Sequence, residues 1–288
     1  MTKIIAVAMQ KGGVGKTTTA LHLSHALAMS GRKVLLIDTD PQASATDRFF
    51  SVAFKGTLAD VLGVQGEGTM QFKDVITPTH QQNLWLIPAD DRLEDSAKRV
   101  DDQNSSIGGI YAFDLMLRGE RLPFDYVILD TPPGRSSLLM ASLVAADEVI
   151  MPVQLQPMGF EGFDKLISGT IQQARRHQSI RGEIRLRLRA VVPTFYNQNQ
   201  LASKAFLRAL ENAEHPDYED MPLPLAPQPV VESTGFVNAS APIPFDVKGQ
   251  ELYRARTIWE MTPGNQQSTI VRGQQAYEEL ARYVDSYA

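Results

Sequence analysis

Residues 3–38 read KIIAVAMQKGGVGKTTTALHLSHALAMSGRKVLLID. Lys3 to Met9 is an almost unbroken β-branched and apolar run, the pattern of a strand buried on both faces of a parallel sheet. It enters a glycine-rich turn, after which Ala20, Leu23 and Leu27 recur at helical spacing and Gly31 stops the helix as a C-cap. Lys33 to Asp38 is a second apolar strand. Strand, phosphate-sized turn, helix and strand in so short a span make a βαβ unit. The predicted class is α/β, a doubly wound, mostly parallel sheet with helices on both faces.

Outward from this unit, Leu84–Ala89, Tyr126–Asp130, Glu148–Val153 and Leu188–Val192 read as further strands. Helices are expected over Asp90–Leu117, Ser136–Ala146, Phe160–Arg176, Gln198–Glu211 and Gly273–Tyr287. No internal repeat or low-complexity linker divides the chain, and Pro216–Pro229 reads as an ordered loop, so 1–288 is expected to be one domain. Apolar residues at 43% of 288, with only 20 Gly and 17 Pro, exclude disordered and fibrous classes. The absence of cysteine removes thiol catalysis, zinc-thiolate sites and iron–sulfur clusters together. With 28 basic and 33 acidic residues the net charge is −5, so any nucleic-acid contact must come from a local basic patch. The apolar run Ile4–Met9 is too short for a signal segment, and no membrane-length apolar stretch follows, so the expected location is the cytoplasm.

Lys11 to Thr18, KGGVGKTT, carries the strongest chemical signal. Gly15, Lys16 and Thr17 complete a phosphate-loop pattern between strand and helix. Gly12, Gly13 and Gly15, with Val14 among them, are expected to let backbone N–H groups turn onto phosphate oxygens. Lys16 can bridge β and γ phosphates, Thr17 can ligate Mg²⁺, and the helix N-terminus at Thr17 and Thr18 adds partial positive charge. The expected ligands are ATP and Mg²⁺. Five residues before Gly15 stands Gln10 where the general pattern has glycine, and a second lysine, Lys11, opens the loop.

This KGGxGKT form resembles the deviant Walker A box of the ParA/MinD superfamily of P-loop NTPases, and more closely its ParA-type partition ATPases. The resemblance implies a nucleotide-sandwich homodimer formed with ATP, in which Lys11 of each copy reaches the other's phosphates. DTDPQASAT, Asp38–Thr46, looks like the ParA switch segment, which places Asp40 beside the attacking water and the metal. FDYVILDTPPG, Phe124–Gly134, resembles a Walker B strand, with Asp130 holding a magnesium-bound water. VVPTFYNQNQ and LAPQPVVESTGF sit where relatives form the base pocket, which suggests Pro193, Thr194 and Pro227 near adenine. Lys11, Lys16 and Asp40 are the expected catalytic residues, and Thr17, Asp40 and Asp130 the expected metal ligands. The family further implies slow hydrolysis stimulated by a ParB-like or small centromere-binding adaptor, nucleoid association, and a cargo of plasmid or chromosomal DNA or a protein assembly.

Arg175–Arg189, RRHQSIRGEIRLRLR, holds six arginines against one glutamate, a local +5. Arg175, Arg176, Arg181, Arg185, Arg187 and Arg189 are therefore the candidates for nonspecific DNA contact, which goes to phosphates and is sequence-independent. A solvated helix end followed by a surface strand is the alternative. The C-terminal segment QQAYEELARYVDSYA carries three acids and one arginine, which argues against the basic amphipathic helix of membrane-bound MinD relatives. An ATP-dependent ligase or kinase is the remaining rival, and Lys11 speaks against it. Residues 246–273 form an insertion relative to the family: an extra helix packed by Trp259 is the leading expectation, a partner surface or a DNA element using Tyr253, Arg254, Arg256 and Arg272 the others.

Overall fold

Seven strands form one sheet in the order β3-β4-β2-β5-β1-β6-β7. They are β1 (Lys3–Val7), β2 (Val34–Asp38), β3 (Thr77–Pro78), β4 (Leu84–Ile87), β5 (Tyr126–Asp130), β6 (Glu148–Gln154) and β7 (Arg187–Thr194). The computed structural model describes residues 2–48, 54–63, 70–101, 109–119, 121–155, 166–213, 223–231, 242–247, 250–255 and 267–286. All pairings in this sheet are parallel except β3 with β4. The central strands are apolar end to end because both faces are covered: every residue of β2 and β5 is buried. Alternate residues feed two cores. Ile5, Val7, Leu36 and Ile128 pack on one face with Leu23 and Leu27 of α1 (Lys16–Met29). Ile4, Ala6, Ile37 and Leu129 pack on the other with the remaining helices.

On that second face lie α2 (Leu58–Leu62), α3 (Leu93–Asp101), α4 (Ala112–Arg118), α5 (Ser137–Ala145) and α6 (Gln172–Ile180), and α7 (Leu201–Glu211) follows β7. The Ser136 hydroxyl caps α5 by accepting from the Leu139 N–H at 3.1 Å, and the sequence boundary there is met. The helix expected over Asp90–Leu117 is instead two pieces, α3 and α4, with Gly109 at φ 58 just before α4, a left-handed conformation that no continuous helix contains. Of the helix expected over Phe160–Arg176, residues 160–165 lie outside the described residues. The rest is a π-helical turn, Leu166–Ile171, leading into α6, which runs on to Ile180.

The last helix, α8 (Gln267–Asp285), begins six residues earlier than expected and packs beside α1 through Ala276, Tyr277, Leu280, Ala281 and Val284. The 246–273 region is described only in part, and the expected extra helix packed by Trp259 lies outside the described residues. The first part of the region belongs to an antiparallel hairpin of β8 (Pro242–Val247) and β9 (Gln250–Ala255), in register from Pro242–Ala255 to Val247–Gln250. The sequence reading assigns no element to the PIPFDV run, whose β-branched and aromatic residues favour a strand. Arg256 and Trp259 lie outside the described residues. Beside β7, residues 223–231 run parallel without forming a regular strand, the Ala226 N–H donating to Val191 O and the Val230 N–H to Pro193 O, both at 2.8 Å.

Candidate phosphate-binding site

The register Val7–Asp130–Asp38 aligns the carboxyl ends of β1, β5 and β2, so the loops that leave them meet at one edge. Gly13 and Gly15 hold φ of 73 and 92, the left-handed region that keeps the loop N–H groups turned inward. Gly12 differs from these two in conformation. It is exposed at the rim of the loop, its φ is outside the left-handed region, and a Cβ there would meet Pro133 Cβ only at 4.0 Å, an ordinary contact. Neither backbone conformation nor packing among the described residues demands glycine at position 12, and the turn is made by Gly13 and Gly15. Gly15 occupies the N-cap of α1 and has no side chain to cap it, which leaves the first-turn N–H groups for an anion. Two outside contacts hold the loop: the Thr194 hydroxyl donates to Val14 O at 2.9 Å, and the Gly134 N–H donates to Gln10 O at 2.7 Å.

Lys16 is buried at this edge and its ammonium donates to Lys11 O at 3.3 Å. Burial lowers its pKa, while the charges of Asp130 and then Asp40 hold it up. Lys11 is partly buried where the loop begins. Asp130 is fully buried, and neither carboxylate oxygen makes a hydrogen bond of ordinary length and angle. Burial pushes its carboxyl well above the usual range, as does the neighbouring Asp38, and the Thr17 hydroxyl and Lys16 ammonium act in the opposite sense. A buried carboxylate short of well-formed donors, beside Thr17 and Asp40, fits a hard divalent cation that takes one or two carboxylate ligands and completes its shell with water and phosphate. Consistent with such a partial shell, the described residues contain no cluster of three or more acidic or histidine side chains able to cage a metal alone.

Asp38 does different work from the one its proximity to Asp40 suggests. Its Oδ2 accepts from the Thr46 N–H and hydroxyl, both at 2.8 Å, and its Oδ1 accepts from the Asp40 N–H at 3.1 Å. Thr46 in turn accepts from the Ala89 N–H at 2.9 Å, which ties the segment after β2 to the end of β4. Burial pushes the Asp38 carboxyl up to about 6 against the pull of the Thr46 bonds. Asp40 is left at the edge, its Oδ1 accepting from the Gln42 N–H at 2.9 Å.

Among the base-pocket candidates, Thr194 is committed to the phosphate loop, since its hydroxyl is spent on Val14 O. Pro193 joins the same strand end to the parallel segment, on which Pro227 is exposed. The basic patch is altered more. Arg185 bonds Asp114 at 2.7 Å and lies 3.7 Å from Asp147. Arg187 bonds Glu148 at 2.9 Å. Arg189, only 8% exposed, pairs with the fully buried Glu148 and donates to the Tyr283 and Val284 carbonyls of α8. Arg189 is thereby corrected from a DNA contact to an internal ion-pair partner, and Arg185 is largely spent the same way; counting charges along the chain cannot see carboxylates delivered by α4 and β6. Arg176 and Arg181 are exposed, and Arg175 donates to Leu186 O at 2.8 Å.

The C-terminal stripe of Tyr277, Leu280, Ala281 and Val284 packs into the core as its spacing suggests, but sequence reasoning missed His22 and its contact with Tyr277. The His22 Nδ1 bonds Thr18 O at 2.7 Å, its ring stacks on Tyr277 at 5.1 Å, and the Tyr277 hydroxyl meets the Thr19 hydroxyl at 3.5 Å. This contact braces the first turn of α1 against α8. A histidine on an otherwise apolar helix face was the available signal; its partner, far along the chain, was not.

Fold and site together define a P-loop nucleotide-binding protein with its ligand edge at β1, β5 and β2. The AAA_31 family model, described as an AAA domain, matches residues 2–184. The chain is 34% identical over 179 residues to the sporulation initiation inhibitor protein Soj of Bacillus subtilis (strain 168), covering 62% of this chain and 68% of that protein. It is 33% identical over 213 residues to the chromosome partitioning protein ParA of Caulobacter vibrioides (strain NA1000 / CB15N), covering 70% and 73%. Among solved structures, cobyrinic acid a,c-diamide synthase from Mycobacterium smegmatis with bound ADP and magnesium is similar at TM-score 0.74 and 26% identity, covering 100% of this chain and 97% of that one. The chain belongs to the ParA/Soj family of P-loop ATPases within AAA_31. Relatives of this fold are crystallised with adenine nucleotide and magnesium. Among the described residues no helix is long and apolar enough to cross a membrane.

Proposed function

We propose that this chain is a cytoplasmic, nucleoid-associated ATPase that dimerises on ATP, binds DNA without sequence preference, and positions a cargo, most simply plasmid or chromosomal DNA, through a ParB-like or small centromere-binding adaptor that stimulates hydrolysis. The observation that carries the reading is the convergence of Lys16, Thr17, Asp40 and Asp130 on one sheet edge, with Lys11 opening the loop. Lys16 and the first-turn N–H groups of α1 bind the β and γ phosphates. Thr17, Asp40 and Asp130 would hold a magnesium ion, which when bound would supply charge neutralisation at the phosphates. Asp40 orients the attacking water. As the water oxygen bonds to the γ phosphorus, the bond to the β–γ bridging oxygen breaks, ADP leaves, and the proton lost by the water ends on the released phosphate. Lys11 of the partner subunit adds positive charge where it develops, so turnover waits for the dimer.

Sedimentation with ATP and magnesium tests this. The wild-type chain is expected to dimerise, Lys16→Ala to lose nucleotide and stay monomeric, and Lys11→Ala to bind nucleotide yet stay monomeric. A wild-type chain that remains single at saturating ATP and magnesium overturns the proposal. The similarity to a diamide synthase favours a second reading, an ATP-dependent ligase; phosphate release that needs no acceptor acid or amine separates the two.

A further inference from the structure

With Arg185 and Arg189 spent on carboxylates, Arg176, Arg181 and Arg187 are what the arginine-rich stretch still exposes for a DNA contact. Two concavities at the amino edge of the sheet, opposite the phosphate loop, supply a surface for it. The larger, about 1320 Å³, lies among the start of β1, the approach to β2 and the end of α4. The smaller, about 590 Å³, lies between α6 and the chain entering β7. Both are lined by Arg185 and Arg187, so they meet in one trough. Its lining carries eight basic side chains against three acidic ones; Lys3, Arg118, Arg185 and Arg187 are paired with Glu148, Asp114 or Asp147, so the net positive charge comes from the cations that remain exposed. Lys33, Arg121 and Arg176 are exposed and have no ion-pair partner among the described residues, and Arg187 keeps 58% of its side chain exposed while it holds Glu148.

We infer that this trough takes the phosphate backbone of duplex DNA, with Lys33, Arg121, Arg176 and Arg187 as the contacting cations. The inference rests on the DNA-binding reading above and gives it a location. An exposed surface carrying separated cations suits a linear polyanion better than a small phosphorylated ligand. Phe124, the aromatic residue in its lining, is buried, so no stacking platform favours single strands. Contacts of this type neutralise phosphates without reading bases. Because β1 and β5 separate the trough from the loop edge by about 16 Å of strand, DNA and a second copy bridged through nucleotide use opposite edges and do not compete.

The test is fluorescence anisotropy of a labelled duplex of arbitrary sequence, titrated with the full chain in ATP and magnesium across a salt series. The double variant Lys33→Gln/Arg121→Gln is expected to raise Kd by about tenfold and to reduce the slope of log affinity against log salt by about 2, two phosphate contacts at roughly 0.9 each. Lys204→Gln, an exposed cation on α7, is expected to change neither. Unchanged thermal unfolding of the double variant shows that any loss comes from the surface and not from the fold. Wild-type affinity and slope in the double variant overturn the trough while leaving DNA binding intact, as does an equal loss in Lys204→Gln. A wild-type chain that ignores DNA at low salt, or that binds phosphatidylglycerol vesicles in its place, overturns the DNA reading along with it.

Discussion

Gly15 shows how one residue serves both fold and chemistry. At φ 92 any side chain is strained, although a Cβ there would sit 3.7 Å from Thr194 Cγ2, an ordinary contact. Gly15→Ala is therefore expected to cost about 1–2 kcal/mol by backbone strain alone, read as a lower urea midpoint, and to abolish ATP binding because the loop N–H groups rotate away. His22 makes a separate prediction. Burial lowers its pKa to about 3, and the unfolded value is near 6.5. The unfolded state binds a proton in this window and the folded state does not, so stability falls as pH drops from 6.5 toward 3. His22→Phe preserves the stack on Tyr277 and removes the titration. Its unfolding free energy is expected to lose up to about 1.4 kcal/mol per pH unit less than wild type across that window, and parallel curves for the two proteins would show that another group carries the dependence. Gly15 was legible in the sequence because its motif is local, whereas the depressed histidine depends on a ring that α8 delivers.

At the scale of elements, β6 and β7 join a buried carboxylate to a terminal helix. Glu148 is fully buried and receives Lys3 at 3.4 Å, Arg187 at 2.9 Å and Arg189 at 3.5 Å. Arg189 then caps the carboxyl end of α8, where cations are favoured by the helix dipole. At the same end Tyr126 donates to Asp285 at 2.9 Å, and Arg32 pairs with it at 2.8 Å. Arg189→Met is expected to destabilise the chain by roughly 3 kcal/mol, since it strips a partner from a buried charge, with α8 exchanging its amide hydrogens faster than β5. Charge reversal at Arg185 or Arg187, which the arginine-rich sequence invites as a DNA-binding test, breaks ion pairs to Asp114 and Glu148 and reports on folding instead.

For the whole molecule, the two sheet edges differ in kind: the carboxyl edge gathers the phosphate loop and the strand-end aspartates, and the amino edge carries the exposed cations Lys33, Arg121 and Arg176. Asp40→Ala is expected to leave ATP affinity near wild type, slow turnover by at least about a hundredfold, and accumulate the ATP-bound dimer; undiminished phosphate release would remove Asp40 from the mechanism. The parallel sheet, the phosphate loop, the α5 cap and the strand-end aspartates could be read directly from the chain, because each is written in contiguous residues whose periodicity or backbone demand is local. Tertiary structure alone decided which of those charges are available. Asp38 is absorbed by Thr46, Arg189 by Glu148 and α8, and Thr194 by the loop itself, while Lys33 and Arg121, unremarkable in sequence, end on a shared trough. Ion pairing and desolvation depend on groups brought together from distant positions, and no count along a single strand or helix contains them.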